Sequence, residues 1–167
     1  MTGKSKLKFL NSKSGFTLIE LLVVISIIGV LAALSFVSFT TSQRQARDSA
    51  RKSDIKQYQS SLEAYANNHN SLFPQRPNAG GAVASTTLCS DLLLSGCSED
   101  PKNPSDPTFT YRYQSDGAVS NGTASAIKYI IWGKIESTEN YWVVCSNGKV
   151  GTVAQSGFGV SGGNCPL

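Results

Sequence analysis

The amino-acid sequence predicts an α+β protein in which one long N-terminal helix packs on a small antiparallel sheet of three to four strands. Three observations support this fold class. An apolar run opens at Phe16, no proline or glycine occurs between Val30 and Pro74, and residues 108–153 contain several segments rich in β-branched and aromatic residues. The first two features are typical of a helix, and the third is typical of short strands.

Four successive regions are predicted along the 167 residues. They are a leader (1–15), a transmembrane helix (16–39), an amphipathic helix half (40–70) and a globular region that is loop-rich and contains the antiparallel strands (71–167). The leader holds four lysines and no acidic residue, so it accounts for the whole formal net charge of +4. Without the leader the side-chain charges sum to zero, and no nucleic-acid partner is expected.

The apolar run predicts a membrane-spanning helix. Residues 21–39 contain no charged side chain, and 19 residues are about what a helix needs to cross a bilayer. Thirteen of them are Leu, Ile, Val or Phe, which together contribute about −4 to −8 kcal/mol to insertion. A carboxylate at mid-membrane costs about 3 kcal/mol, so insertion is favourable even with Glu20 near the start of the run.

Glu20 is an ionisable residue in a membrane segment, and such residues usually have a partner. Cleavage between Gly15 and Phe16 would create a free amine on Phe16, one helical turn before the Glu20 carboxylate. The two groups could then pair within one subunit or between neighbouring subunits.

The run Gly15-Phe16-Thr17-Leu18-Ile19-Glu20 resembles the prepilin N-terminus of type IV pilins and type II secretion pseudopilins. The resemblance implies that a membrane enzyme, prepilin peptidase, cleaves after Gly15 and methylates Phe16, and that Glu20 guides subunit docking. It also implies that the transmembrane helix becomes the core of a filament. The sequence resemblance is specific over about residues 12–74. After Pro74 only the predicted architecture resembles that of the family.

Two other interpretations of the N-terminus remain open. An ordinary secretory signal would use the leader lysines and a cleavage site at Ala33-Leu34-Ser35, which releases a soluble protein that begins at Phe36. Against it, the apolar run exceeds the usual length of about 7–15 residues and carries Glu20. A simple single-pass anchor explains the apolar run but not the motif at its start.

The orientation follows from the cysteines and from the resemblance. Basic residues lie on both sides of the apolar run, so charge counting does not decide it. Four cysteines in the C-terminal part favour an oxidising exterior for that part. We expect a single-pass protein of the inner or cytoplasmic membrane with its N-terminus in the cytoplasm, which later joins an extracellular or periplasmic filament.

Residues 43–68 are predicted to continue the helix as an amphipathic segment. Less polar residues recur there at mostly three- and four-residue steps, and charged residues such as Arg47 and Arg51 occupy the other faces. The less polar positions are Ala46, Ala50, Ile55, Tyr58, Leu62 and Tyr65. The helix is predicted to stop at the polar cluster 67–70, before Pro74.

Residues 71–125 are predicted to be mostly loops, with a short helix or turn at 88–94. Strands are predicted at 108–114, 126–135, 141–146 and 149–153. The last two flank Asn147-Gly148, a strong signal for a two-residue hairpin turn. Short separations between these runs favour antiparallel pairing.

The four cysteines allow three disulfide pairings. We favour Cys89–Cys97, which closes a short loop, and Cys145–Cys165, which ties residues 151–167 to the sheet and would stabilise by about 3 kcal/mol. A metal site would need closer Cys-x-x-Cys spacing, so no metal ion and no cofactor is expected.

Three further patterns are given structural interpretations. Residues 157–162 (GFGVSG) fit the dinucleotide-binding pattern G-x-G-x-x-G, but too few residues follow for the helix that this pattern requires, so we interpret them as a flexible loop. Asp100, Asp106 and Asp116 lie in Pro/Gly-rich loops and are interpreted as turn-forming, solvated residues rather than calcium ligands. His69 is expected to cap the helix end or to be solvated.

These observations predict a structural pilin or pseudopilin subunit of a type IV pilus or a type II secretion-like filament, not an enzyme. The partners that the resemblance implies are prepilin peptidase, other pilin subunits in a homo- or heteropolymer, the assembly platform and motor, and the membrane. Two other functions remain open. One is a minor pilin that acts as an adhesin or DNA-uptake module, which needs a ligand patch such as Arg76, Arg112, Lys128 and Lys149, and the other is a simple membrane-anchored secreted domain.

Overall fold

The computed structural model describes residues 15–167, so the predicted leader lies outside the described residues except for Gly15. The helical elements are Leu18–Asn68 (α1), the π-helical segment Ala84–Leu88, Cys89–Asp91 (α2) and a 3-10 turn at Gln155–Gly157. The strands are Phe73–Pro74 (β1), Ala82–Val83 (β2), Arg112–Ser115 (β3), Ala124–Ala126 (β4), Tyr129–Lys134 (β5), Tyr141–Cys145 (β6) and Val150–Val153 (β7). This layout confirms the predicted α+β class.

The chain divides into two compact units, one that ends at Thr40 and one that comprises Thr41–Leu167. In the first unit the apolar side chains of residues 18–34 are exposed, for example Leu22 at 53% and Leu34 at 69%. Ser26 Oγ donates a hydrogen bond to the Leu22 carbonyl oxygen at 2.8 Å, so this polar group is satisfied within the helix. Within the described residues, α1 is the one helix long and apolar enough to cross a membrane.

The second unit buries one stripe of α1 against the sheet. Ile55, Tyr58 and Leu62 are each at most 3% exposed, as their periodicity predicts. The stripe continues towards the N-terminus through Arg51, which is fully buried, whereas Ala46 is exposed. The predicted position of Arg51 on a polar face is therefore wrong, because its charge is paired inside the protein with Asp48 on the same helix and with the distant Asp100.

Helix α1 ends at Asn68, inside the predicted stop. Asn70 and Ser71 then adopt left-handed conformations with φ of 54° and 62°, and the Ser71 N–H donates to the Ala66 carbonyl oxygen at 2.8 Å. A left-handed residue after the last turn satisfies free carbonyls at a helix C-terminus, and asparagine tolerates that conformation.

In the described part of the chain, five antiparallel strands form the main sheet in the order β2-β3-β5-β6-β7, while β1 and β4 form a separate two-stranded sheet. The main sheet has five strands where three to four were predicted, because β2 pairs with its edge. The sequence analysis missed β2, since a strand of two residues is too short to show a pattern. Gly148 takes a φ of 81° in the turn between β6 and β7, the turn expected at Asn147-Gly148.

The segment predicted as a strand at 108–114 pairs only in its second half, as β3. Thr108 donates from its backbone N–H and from Oγ1 to Asp106 Oδ1, at 3.0 Å and 2.6 Å, and the Phe109 N–H donates to the Asp106 carbonyl oxygen at 3.0 Å. The aspartate therefore holds the first half in a turn, although its residues alternate as in a strand.

Side chains alternate between two apolar layers, one on each face of the main sheet. Tyr113, Tyr129 and Ile131 face the core that includes Ile55 and Leu62 of α1. The neighbouring residues Ile130, Trp132, Val143 and Cys145 form a second layer, which is covered by Phe158, Val160 and Leu167 of the C-terminal segment. The sheet is therefore covered on both faces.

The structure contains the disulfides Cys89–Cys97 and Cys145–Cys165, the pairing that the sequence analysis favours. Cys97 packs against the helix-side layer and Cys165 packs against the opposite layer. Each bridge therefore fastens one irregular segment onto one face of the sheet.

Candidate functional site

The first candidate feature is the start of helix α1, where Thr17 and Glu20 bond to each other. The Thr17 backbone N–H and Thr17 Oγ1 both donate to Glu20 Oε2 at 2.8 Å, and the Glu20 N–H donates to Thr17 Oγ1 at 3.2 Å. This arrangement is a capping box, in which the residue before the helix and the third helical residue satisfy each other's N–H groups. Glu20 also places a negative charge in the first turn, where the helix dipole favours it.

The predicted partner of Glu20 is the amine that cleavage would create on Phe16. In the uncut chain Phe16 is 90% exposed, and the Glu20 carboxylate is engaged by Thr17. Pairing of Glu20 with an amine stays a prediction. The sequence analysis missed Thr17, although Thr-x-x-Glu before an apolar run is a readable signal for a capping box.

Gly15 lies just before the helix and is exposed. A Cβ atom added to Gly15 would meet no described atom within 4 Å. The described fold therefore does not require glycine at this position, and cleavage between Gly15 and Phe16 stays an expectation from the motif.

The second candidate feature is a buried group of charged side chains, Asp48, Arg51, Asp100 and Glu136, which we call the Arg51 cluster. Arg51 Nε and Nη2 donate to the two carboxylate oxygens of Asp100 at 2.6 Å and 2.9 Å. Arg51 Nη1 donates to Asp48 Oδ1 at 2.7 Å. The side chains of Arg51 and Asp100 are both 0% exposed, and a buried ion pair needs such bidentate geometry because an unpaired charge there is costly.

Glu136 connects the Arg51 cluster to Arg47, whose Nε and Nη2 each donate to its carboxylate at 2.8 Å. These hydrogen bonds outweigh burial and lower the pKa of Glu136 to about 2. Asp48 accepts the backbone N–H groups of Glu136 and Ser137 at 2.8 Å and 3.0 Å. Burial opposes the charge of Asp48, but the hydrogen bonds from Ser137, Glu136 and Arg51 lower its pKa.

Phe109, which is 2% exposed, packs on the cations of this region. Arg51 Cζ lies 4.7 Å and Lys102 Nζ 4.4 Å from the centroid of its ring, within the range of a cation–π interaction. Lys102 Nζ also lies 3.8 Å from Glu136 Oε1. The Arg51 cluster and its cations thereby fasten α1 to the Pro-rich segment 97–107 and to the turn between β5 and β6.

The structure corrects the interpretation of one aspartate. Asp100 was expected to be solvated, but it is 2% exposed and accepts both hydrogen bonds from Arg51. Asp106 forms the turn with Thr108, in agreement with its predicted role. Asp116 Oδ1 accepts the backbone N–H groups of Ile127 and Lys128 at 2.8 Å and 3.0 Å, so it also organises a chain reversal.

The four basic residues considered as a ligand patch have different partners. Arg76 donates to Asp91 at 2.8 Å and 2.5 Å, and Arg112 Nη1 donates to the Gly81 carbonyl oxygen at 3.2 Å. The other two contact the C-terminal segment, Lys128 through Asn164 Oδ1 at 3.4 Å and Lys149 through the Leu167 carbonyl oxygen at 3.0 Å. Among the described contacts, none joins two of these four residues.

His69 Nδ1 lies 2.8 Å from the Tyr65 carbonyl oxygen, and its ring stacks on Tyr65 with a centroid distance of 3.9 Å. His69 therefore caps the end of α1, in agreement with one of its two expected roles. The glycine-rich pattern 157–162 begins at the last residue of the 3-10 turn after β7, and Phe158 within it packs on Trp132 rather than leading into a helix.

The family model of the prokaryotic N-terminal methylation motif matches residues 10–36 of the chain. This motif is the signature of type IV pilins and pseudopilins, so the N-terminus is pilin-like. The match includes Gly15, Phe16, Thr17 and Glu20 and lies before the globular unit. Comparison with curated proteins and with solved structures gives no match.

Proposed function

We propose that the chain is a structural subunit of a type IV pilus or a type II secretion-like filament and is made as a prepilin. The observation that carries the proposal is the methylation motif at residues 10–36, which contains the start of helix α1, where the apolar side chains of residues 18–34 are exposed. Such a helix needs lipid or neighbouring helices around it. The subunit starts in the inner or cytoplasmic membrane and ends in an extracellular or periplasmic filament.

Processing would hydrolyse the peptide bond between Gly15 and Phe16. Water supplies the oxygen of the new Gly15 carboxylate and the protons that complete the new Phe16 amine. Prepilin peptidase would then transfer a methyl group to this amine from a sulfonium methyl donor, which leaves as a thioether while the amine loses a proton. The exposure of both residues supports access to this bond. A Cβ at Gly15 would have free space in the fold, which supports the idea that the peptidase, and not the fold, requires glycine at this position.

Docking would use the carboxylate of Glu20. The capping box with Thr17 fixes the start of the helix and holds this carboxylate at its first turn. An amine from Phe16 of the same or a neighbouring subunit gives the carboxylate a cationic partner away from water. An unpaired carboxylate in that environment is costly, so only one axial position of a neighbouring helix is favoured.

Assembly would exchange lipid for protein around α1 with the help of the platform and motor of the machine. Apolar side chains gain no hydrophobic energy from this exchange, because lipid tails are as apolar as leucine. Close packing and the Glu20 pairing must therefore supply the specificity. Gly29 supports close helix contact, since a Cβ there would meet no described atom within 4 Å and a neighbouring helix has room to approach.

The N-terminal mass of the protein recovered from membranes tests processing. We expect an N-terminus at Phe16 that carries one methyl group. In cells without prepilin peptidase we expect neither this cleavage nor this methylation. Gly15→Val should block the cut, whereas Gly29→Val, at a glycine with equal free space, should not. A protein that begins at Phe36 or at Met1 would contradict the proposal and favour a secretory signal or a simple anchor.

The choice between a pilus and a secretion pseudopilus rests on the C-terminal segment. Residues 151–167 contain no aspartate or glutamate, which favours a pilin over a pseudopilin that holds calcium in this region. Electron microscopy separates the two, because a pilin should give long surface filaments from cells that express the chain at native level. Short periplasmic assemblies with a secretion defect would favour the pseudopilin.

A further inference from the structure

A cleft of about 450 Å³ opens in the second unit, on the face of the sheet opposite α1. Its walls include Arg112 of β3, Trp132 of β5, Tyr141 of β6, Thr110, and Phe158 and Val160 of the glycine-rich pattern. This volume lies within the range of small-molecule pockets. Neither the methylation motif nor the Arg51 cluster includes any of these residues.

Three aromatic rings line the apolar side of the cleft, and because Trp132 is only 4% exposed, the half-buried rings of Tyr141 and Phe158 are the ones that a ligand can reach. The ring centroids of Trp132 and Phe158 are 5.4 Å apart, and those of Tyr141 and Phe158 are 4.5 Å apart. The chain at Gly81 passes directly over the indole, since a Cβ atom there would lie 2.5 Å from Trp132 Cη2. The rings are therefore held in place before any ligand arrives, which lowers the entropic cost of binding.

Arg112 supplies the charge of the cleft. It lies opposite Trp132 in the register between β3 and β5, and it uses Nη1 to donate to the Gly81 carbonyl oxygen. That single bond orients the guanidinium, which has five N–H donors and suits bidentate binding of a carboxylate. No aspartate or glutamate of the described chain lines the cleft, and Arg112 is its one lining cation.

The glycine-rich pattern forms one wall of the cleft through Phe158 and Val160. The sequence analysis interpreted the same residues as a flexible loop. A Cβ at Gly157 or Gly159 would meet no described atom within 4 Å, so the backbone on either side of Phe158 is unobstructed. The disulfide Cys145–Cys165 tethers this segment to β6. The wall is therefore held at both ends, by the pairing of β7 with β6 and by the disulfide.

We propose that this cleft binds a carboxylated sugar unit, such as a uronic acid residue of an acidic polysaccharide. The C–H face of a pyranose ring packs on the rings of Tyr141 and Phe158, and its carboxylate pairs with Arg112. Its hydroxyl groups bond to the Tyr141 hydroxyl and donate to Thr110 Oγ1, which itself donates to the Pro107 carbonyl oxygen at 2.9 Å. One guanidinium fits one carboxylate per sugar. A nucleic acid would need a row of cations along its phosphates, which the cleft does not have. The inference goes beyond filament assembly and does not depend on it.

Titration of the full-length protein in detergent micelles with trigalacturonate tests the proposal, with tryptophan fluorescence or calorimetry as the readout. The fully methyl-esterified trimer is the matched probe, because it keeps the rings and hydroxyls but has no charge. We expect the acid to bind about tenfold or more tightly than the ester. Equal affinity for acid and ester, or no binding of the acid, would overturn the proposal.

Three variants locate the binding. Arg112→Gln should reduce the affinity for the acid to that for the ester, and Phe158→Ala should weaken both probes. Lys56→Gln makes the same charge change at an exposed position of α1 outside the cleft and should change neither. If Phe158→Ala binds the acid as tightly as the parent chain does, the cleft is not the binding site, and this outcome can be read even if Arg112→Gln fails to fold. If hexaglutamate binds more tightly than trigalacturonate, the ligand is not a carboxylated sugar.

Discussion

Residues 18–34 of helix α1 are all exposed, whereas Ile55, Tyr58 and Leu62 of the same helix are buried under the sheet. The first stretch satisfies its polar groups locally, through the capping box and the Ser26 hydroxyl. The second depends on partners 40 or more residues away, since Tyr58 donates to the Ser98 carbonyl oxygen and the neighbouring Arg51 donates to Asp100. The apolar side chains of residues 18–34 therefore have no covering within the described chain, whereas those of Ile55, Tyr58 and Leu62 are covered by the sheet.

This difference separates mutations that affect assembly from mutations that affect folding. A change in residues 18–34 removes contacts that only a membrane or another subunit can supply, so the globular unit should stay folded. A change at the buried stripe or the Arg51 cluster should destabilise the globular unit in the isolated protein. Four predictions test this separation.

The largest effect is expected for Glu20→Ala, which should abolish filament assembly while membrane insertion and the stability of the globular unit remain unchanged. The reason is that docking loses the carboxylate that pairs with the Phe16 amine. Electron microscopy and membrane fractionation measure the two outcomes. Glu63→Ala, at an exposed glutamate of α1 in the second unit, is the control and should assemble normally. Normal filaments from Glu20→Ala would refute the docking role.

Arg51→Ala should lower the free energy of unfolding of the globular unit by about 3–5 kcal/mol, because Asp100 and Asp48 lose their buried partner. Lys56→Ala, at an exposed cation one turn further along α1, should change it by less than about 0.5 kcal/mol. Denaturant unfolding of both full-length variants in detergent gives the comparison. Equal stability of the two variants would show that the Arg51 cluster does not stabilise the unit.

The pH dependence of stability should follow Glu136. Its carboxyl has a pKa of about 2 in the folded chain and an ordinary value of 4.5, so it favours the folded state by about 3 kcal/mol at neutral pH. This contribution is complete above about pH 5 and is lost as the pH falls towards 2. Unfolding curves measured from pH 7 to 2 should show the loss, and Glu136→Gln should flatten the slope.

The smallest effect is expected for Thr17→Val, which removes the hydroxyl of the capping box and should weaken the first turn of α1 by about 1 kcal/mol. Faster hydrogen exchange at the first-turn amides would report it, with no change in the globular unit. Thr17→Ser keeps the hydroxyl and should exchange like the parent chain. Loss of globular stability in Thr17→Val would contradict the separation of the two regions.

Features that depend on neighbours in sequence were predictable. The apolar run, the end of α1 near Asn68 and the turn at Asn147-Gly148 follow from local composition, and the structure has all three. The capping box of Thr17 and Glu20 was equally local and readable. The candidate site at the N-terminus is therefore a property of a short stretch of sequence.

Contacts of charged side chains with distant partners were not predictable. Arg51 and Asp100 are 49 residues apart, and no periodicity indicates that an arginine on a helix will meet a buried aspartate. The cleft at Arg112 depends on the register that places Arg112 opposite Trp132, and a one-residue slip would send Arg112 to the other face of the sheet.

The order of the disulfides along the chain has a consequence for biogenesis. Each cysteine is bonded to its nearest neighbour in sequence, with separations of 8 and 20 residues. If the chain is exported from its N-terminal end, Cys89 and Cys97 reach the oxidising compartment before Cys145 does. Oxidation in order of emergence therefore gives the native bridges directly, and the subunit should mature without a disulfide isomerase, whose reshuffling is slow.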